Sequence, residues 1–149
     1  MNKKELYWKP GNILVTRGDS RPEYYLVKDD GMAYPCNRKL DDWWRKVQPG
    51  EYDDNLMSML PDCIRMYWDI TDVYVHIESS ILNMSYWKSG NIGETRNGLF
   101  YSFNDNDTAT ELNDNSGSSF LEKDTYNDDL NCNLKNRKSW DFVRVYKKI

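Results

Sequence analysis

The sequence predicts a mainly β protein made of two small tandem SH3-like β-barrel modules, with a short helical insertion in the first, and three observations predict it. Helix formers are scarce and turn formers abundant: the 149 residues include two Ala but 15 Asn, and Asp outnumbers Glu 17 to 7. Such a composition weakens helices and supplies caps and turns. Aromatic residues reach 14%, with 11 Tyr and 6 Trp, residue types that suit pleated, half-buried surfaces. The third observation is an internal repeat, which decides architecture before any motif does. Tyr7-Trp8-Lys9-Pro10-Gly11-Asn12-Ile13-Leu14-Val15-Thr16-Arg17 matches Tyr86-Trp87-Lys88-Ser89-Gly90-Asn91-Ile92-Gly93-Glu94-Thr95-Arg96 at eight of eleven positions, at an offset of 79 residues.

Two further pairs follow in the same order. Tyr52-Asp53-Asp54-Asn55-Leu56 answers Tyr126-Asn127-Asp128-Asp129-Leu130, and Trp68-Asp69-Ile70-Thr71-Asp72-Val73-Tyr74 answers Trp140-Asp141-Phe142-Val143-Arg144-Val145-Tyr146. The offset shrinks from 79 to 74 to 72, the mark of loops shortened around a kept framework. The chain therefore divides into a first module, residues 1–78, and a second, residues 79–149. Positions that agree between the copies are candidates for scaffold, and positions that differ are candidates for individual function. Trp8, Trp68, Trp87 and Trp140 fall at paired positions and are assigned to packing.

In the first module Asn12 to Arg17 is apolar and β-branched and predicts a strand. Gly18-Asp19-Ser20-Arg21-Pro22 predicts a turn, Tyr24 to Lys28 the next strand, and Asp29-Asp30-Gly31 the turn before Met32-Ala33-Tyr34. The second module condenses this meander. Asn97-Gly98 is a strong hairpin signal between Asn91 to Arg96 and Leu99 to Phe103, because both residues tolerate the positive φ of a type I′ turn. Asp105-Asn106-Asp107 predicts a hairpin turn, with Thr108 to Leu112 as the strand after it. The Tyr-Asp/Asn-Asp-Asn/Asp-Leu segment begins a short helical turn, with Leu56 and Leu130 plugging the barrel. Met66 to Ile77 and Ser139 to Lys147 are the closing strands. Meanders of about 70 residues close into small barrels, which removes exposed edges.

Twenty basic against 24 acidic residues give a net charge of −4. That is too balanced for attraction to nucleic acid by default, and far from a strongly acidic DNA mimic. Cys36, Cys63 and Cys132 are odd in number and form no C-x-x-C pair, which predicts free thiols in a reducing compartment rather than a disulfide framework or zinc site. The N-terminus MNKKELYWKPGN has no signal-peptide core, and no run approaches the roughly 20 apolar residues of a membrane helix. The expectation is a soluble, intracellular protein with no membrane partner.

The residues G-N-I-x-x-T-R near the start of each module, then Y-N-D-D-L, then W-D-F-V-R-V-Y, resemble a group of small, mostly uncharacterised phage and prophage β proteins. That group opens with G-D-x-x-V-T-R-x-G and ends with D-I-V-x-V-Y. The resemblance covers most of the second module and the ends of the first. Asn12 and Asn91 stand where the group has Asp, Gly93-Glu94 interrupts the apolar run, and Phe142 replaces Ile. It implies a virus-like origin and a small β fold, and it carries no catalytic residue onto this chain.

No catalytic, metal or cofactor motif is predicted. His76 is the single histidine, so it has no second imidazole for a metal site or shuttle, and it reads as a strand residue. Cys63 lacks a nucleophile signature, Gly90-Asn91-Ile92-Gly93 is too short for a phosphate loop, and Asp105 to Ala109 lacks the ligands of a calcium loop. The doublets Asp29-Asp30, Asp41-Asp42, Asp53-Asp54 and Asp128-Asp129 read as turns and caps.

What the first module alone carries is Leu40-Asp41-Asp42-Trp43-Trp44-Arg45-Lys46-Val47, where the second has Asn115-Ser116-Gly117-Ser118-Ser119. Two consecutive tryptophans cannot both face one core, so Trp43 or Trp44 reaches another surface, and a Trp beside Arg45 and Lys46 suits a protein interface or base stacking. Arg17 and Arg96, from the repeated Thr-Arg pairs, complete the predicted binding set. Each pairs with an aspartate, Asp69 and Asp141 respectively, or both converge on an anion. The predicted function is a non-enzymatic phage-type accessory protein that binds a host or phage protein and inhibits a host or defence factor. Binding of a nucleotide or nucleic acid is the alternative.

Overall fold

The computed structural model describes residues 1–37, 46–61, 66–78, 81–113 and 120–149. These contain nine strands and few helical residues, so the protein is mainly β. They form two compact units, one of Met1–Val75 with Ile149 and one of His76–Lys148. The predicted Trp-Trp insertion lies outside the described residues, as does Cys63.

In unit 1, α1 (Lys3–Tyr7) is capped by Asn2, whose side-chain oxygen accepts the Glu5 N–H at 2.8 Å. Strands β1 (Ile13–Thr16), β2 (Glu23–Val27), β3 (Ala33–Pro35) and β4 (Ile70–His76) follow. Every neighbouring pair is antiparallel, in the order β3-β2-β1-β4. All four residues of β1 are buried, which explains why its sequence is continuously apolar and β-branched rather than alternating. Its core joins Leu14, Tyr25, Val27, Val47, Tyr52, Leu56, Ile70 and Val73.

Unit 2 contains β5 (Ile92–Thr95), β6 (Phe100–Phe103), β7 (Thr108–Glu111), β8 (Phe120–Glu122) and β9 (Phe142–Lys148), in the order β9-β5-β6-β7-β8. Its core is more aromatic: Trp87, Tyr101, Phe103, Tyr126 and Phe142 pack around Leu130 and Val145. Trp87 lies 4.6 Å from Phe103 between ring centroids, and it meets Phe142 edge-on at 5.8 Å.

Many backbone hydrogen bonds recur between the two units. Gly11 N–H donates to Val27 O at 2.8 Å, and Gly90 N–H to Phe103 O at 3.1 Å. Both glycines sit at φ near +90°, +91° and +92°, which only glycine adopts without strain. Asn12 Nδ2 donates to Tyr7 O at 2.9 Å, and Asn91 Nδ2 to Tyr86 O at 3.1 Å. The ladder to the closing strand slips at the same place in each, between Val15 and Thr16 and between Glu94 and Thr95. Shared local sequence has given shared local structure down to a bulge.

Two expectations are corrected. Tyr52 to Leu56 and Tyr126 to Leu130 are not helical turns. Asp53 Oδ1 accepts the N–H groups of Asn55 and Met57 at 2.8 and 3.0 Å, while Asn127 Oδ1 accepts those of Asp129 and Asn131 at 2.9 and 3.1 Å. These side-chain bonds take the donors a helix would use. Leu56 and Leu130 are then forced to φ +64° and +62°, and both are buried as expected. The closing strands also start later than Met66 and Ser139. Residues 66–68 are helical and Lys138–Trp140 form a 3₁₀ turn. The Trp68 and Trp140 carbonyls are taken by Tyr52 Oη at 2.8 Å and Tyr126 Oη at 2.7 Å rather than by a ladder. The other strand limits differ from the expected ones by one residue at an end.

Candidate functional site

Unit 1 carries a groove of about 300 Å³ lined by Glu23, Lys46, Val47, Glu51, Tyr52, Ser58, Leu60 and Trp68. Glu23 opens β2, opposite Thr16 across the hairpin. Its Oε2 accepts Tyr25 Oη–H at 2.9 Å. Glu51 ends the 3₁₀ turn Pro49–Glu51, and its Oε1 accepts the Gln48 N–H at 3.0 Å. Trp68 is half-buried, with its ring 6.5 Å from Tyr25. A smaller hollow of about 200 Å³ shares Glu23 and Trp68 with the groove and adds Asp19 and Tyr67.

Tyr52 forms the inner wall. Only 1% of it is exposed, and burial first, then the Glu51 and Asp69 charges, push its phenol well above the ordinary tyrosine range. It therefore stays protonated and donates to the Trp68 carbonyl, which fixes the wall. Asp69, next along the chain, is buried, and its Oδ1 accepts the Ser58 N–H at 2.8 Å. Behind the charged rim the groove is thus held by a closed set of polar contacts.

Unit 2 repeats the wall without the charges. Tyr126 and Trp140 stand where Tyr52 and Trp68 stand, and Asp141 Oδ1 accepts the Cys132 N–H at 2.7 Å as Asp69 does that of Ser58. By ladder register, Leu99 occupies the place of Glu23, Phe120 that of Lys46 and Thr125 that of Glu51. The Trp140 ring instead carries Arg137, whose Cζ lies 4.8 Å from the centroid.

Of the predicted binding residues, Lys46 lines the groove, and Trp43, Trp44 and Arg45 lie outside the described residues. Arg17 and Arg96 each donate a backbone N–H to the aspartate carbonyl of the matching unit, at 3.0 and 2.8 Å. The Arg96 head also reaches Asp141 Oδ2 at 3.5 Å, whereas the described residues show no such ion pair between Arg17 and Asp69. The buried partner in each Thr-Arg pair is the threonine. Thr95 Oγ1 donates to Leu99 O at 3.2 Å, and Thr16 Oγ1 reaches Glu23 O at 3.5 Å, so each closes its hairpin.

Sequence reasoning missed Glu23, Glu51 and Trp68 as groove residues. The signal was present, since these carboxylates are among the positions where the copies disagree, but the pairing of Glu23 with Leu99 follows only from the register. His76 ends β4, and its ring lies 5.7 Å from Tyr146. Cys36 and Cys132 are not in disulfides. Among the described residues no group of His, Cys, Asp and Glu gathers to hold a metal, and no helix is long and apolar enough to cross a membrane. Comparison with family models, with curated proteins and with solved structures returns no match.

Proposed function

We propose that the protein is a non-enzymatic, phage-type binding protein of the host cytoplasm. Its two units are small SH3-like barrels, and the unit-1 groove contacts another protein, a host or defence factor inhibited by that contact. The observation that carries this reading is the difference at the groove. Unit 2 forms the same tyrosine-to-tryptophan-carbonyl and backbone-to-aspartate hydrogen bonds with Leu99, Phe120 and Thr125 where unit 1 has Glu23, Lys46 and Glu51. Unit 2 completes the matching wall without those charges, and half-burying a carboxylate costs desolvation. A ligand gives them a use. The viral origin rests on the motif resemblance, and the host partner follows from that origin.

A protein partner is favoured over a nucleotide or nucleic acid because Asp19, Glu23 and Glu51 surround the aromatic surface and repel phosphate. The test is capture from host lysate by the wild type and by Lys46→Glu, followed by identification of what is held and its absorbance spectrum. Salt-tolerant capture of one protein, lost in the variant, supports the reading. Excess absorbance near 260 nm with binding that falls steeply as salt rises would replace it with the nucleic-acid alternative.

A further inference from the structure

We infer that the unit-1 groove takes an arginine side chain of its protein partner, stacked on Trp68 and held by the carboxylates around it. The inference rests on the protein-binding reading and supplies its chemistry. Its starting point is what unit 2 does with the matching tryptophan. Trp68 and Trp140 each give their carbonyl to the buried tyrosine of their unit, and each is followed by a buried aspartate. On Trp140 the guanidinium of Arg137 lies 4.8 Å from the ring centroid. This wall geometry therefore accommodates a stacked guanidinium, a favourable placement of a cation over the electron-rich indole face.

The surroundings of Trp68 suit a cation better than those of Trp140. Glu23 lines both hollows that meet at Trp68, Glu51 lines the larger and Asp19 the smaller, and among the described lining residues Lys46 is the one cation. The corresponding positions in unit 2, Leu99, Thr125 and the Asn97-Gly98 turn, hold no carboxylate. Glu23 accepts a hydrogen bond from Tyr25 Oη–H and Glu51 accepts one from the Gln48 backbone N–H, and these contacts orient them. A carboxylate accepts several hydrogen bonds. A planar guanidinium can stack on indole while donating sideways to carboxylates, which an ammonium cannot do in the same geometry. The chemistry thus selects arginine over lysine.

The competing occupant is Arg65, which stands three residues before Trp68 as Arg137 stands three before Trp140, and which lies outside the described residues. The experiment separates the two. Acetyl-Gly-Arg-Gly-amide is titrated into the full-length protein while the tryptophan indole N–H resonances are followed, with Trp68→Phe assigning its own signal. The expected result is a shift of the Trp68 resonance that saturates, with a Kd about tenfold tighter than for the matched citrulline peptide. Glu23→Gln combined with Glu51→Gln is expected to weaken it about fivefold at unchanged thermal unfolding. No shift in the wild type, or binding that appears only after Arg65→Ala, overturns the inference. Lysate capture that persists in Trp68→Phe would also overturn it while leaving the protein-binding reading intact, and absence of any captured protein would instead defeat that reading.

Discussion

Units 1 and 2 share a framework but fill it differently. At one core position unit 1 has Leu14, in a cluster with Val27 and Ile70, and unit 2 has Gly93, beside Phe103 and Phe142 at the places matching Val27 and Ile70. A Cβ on Gly93 would lie 2.5 Å from Phe103 Cζ and 2.7 Å from the Phe142 ring. The glycine is there for space, since two phenyl rings occupy what a leucine side chain fills in the other copy. Volume was moved between strands while the register held, which is how close-packed interiors tolerate change. The groove shows the opposite behaviour, because its charges were not exchanged for anything that preserves them.

Carrying one unit's residue into the other breaks the comparison most severely. Gly93→Leu is expected to destabilise unit 2 by about 3 kcal/mol or more through overpacking. Leu14→Gly is expected to cost unit 1 about 3 to 5 kcal/mol through a cavity and lost backbone restraint. Phe103→Val with Phe142→Ile should recover much of the Gly93→Leu loss. Equilibrium denaturation of the single, double and triple variants measures the coupling, and additive losses would mean that the three positions do not share one volume.

A smaller effect sharpens the likeness. Tyr52→Phe and Tyr126→Phe each remove the donor to a tryptophan carbonyl, and each is expected to cost about 1 to 2 kcal/mol. The two values should agree, because the bonds differ by only 0.1 Å, at 2.8 and 2.7 Å. Disagreement by more than the pair's own magnitude would show that the repeated bond is not energetically repeated.

Alkaline titration addresses the same tyrosines together. Burial, then the Glu111 charge, raises the Tyr101 phenol from 10.0 to about 12, and burial also raises those of Tyr52, Tyr74 and Tyr126. The unfolded chain ionises first, so this contribution is intact below pH 10.0 and declines as pH rises toward about 12. Phenolate absorbance and denaturant midpoints measured across that window should show ionisation delayed until unfolding. The smallest difference expected is at the strand-end arginines. Arg96→Ala loses the ion pair of an exposed guanidinium with the buried Asp141, and Arg17→Ala loses none with Asp69, so their costs should differ by no more than about 1 kcal/mol.

Much of this framework is legible in the sequence because it is local. The Gly-Asn turns, the Asn97-Gly98 hairpin and the apolar β1 strand each announce their backbone within a few residues. The Asx turns that replace the expected helical turns are less legible, since Tyr-Asp-Asp-Asn-Leu caps a helix as readily as it closes a hairpin. Choosing between them needs Tyr52 bridged to Ser58 and Tyr126 bridged to Cys132. The groove was harder still. Glu23, Glu51 and Trp68 are separated by 28 and 17 residues, and their proximity is a product of pairing between strands and turns that no short window contains.

The central claim is that the framework is common to both units while recognition belongs to the charged groove of unit 1. It is tested most directly by giving unit 1 the groove residues of unit 2, through Glu23→Leu, Lys46→Phe and Glu51→Thr together, and measuring affinity for the captured protein alongside thermal unfolding. The predicted result is a loss of affinity of at least about 100-fold, equivalent to about 2.7 kcal/mol, with folding retained because unit 2 already folds with these residues. Unchanged affinity in the folded triple variant would contradict the claim and place recognition elsewhere on the protein.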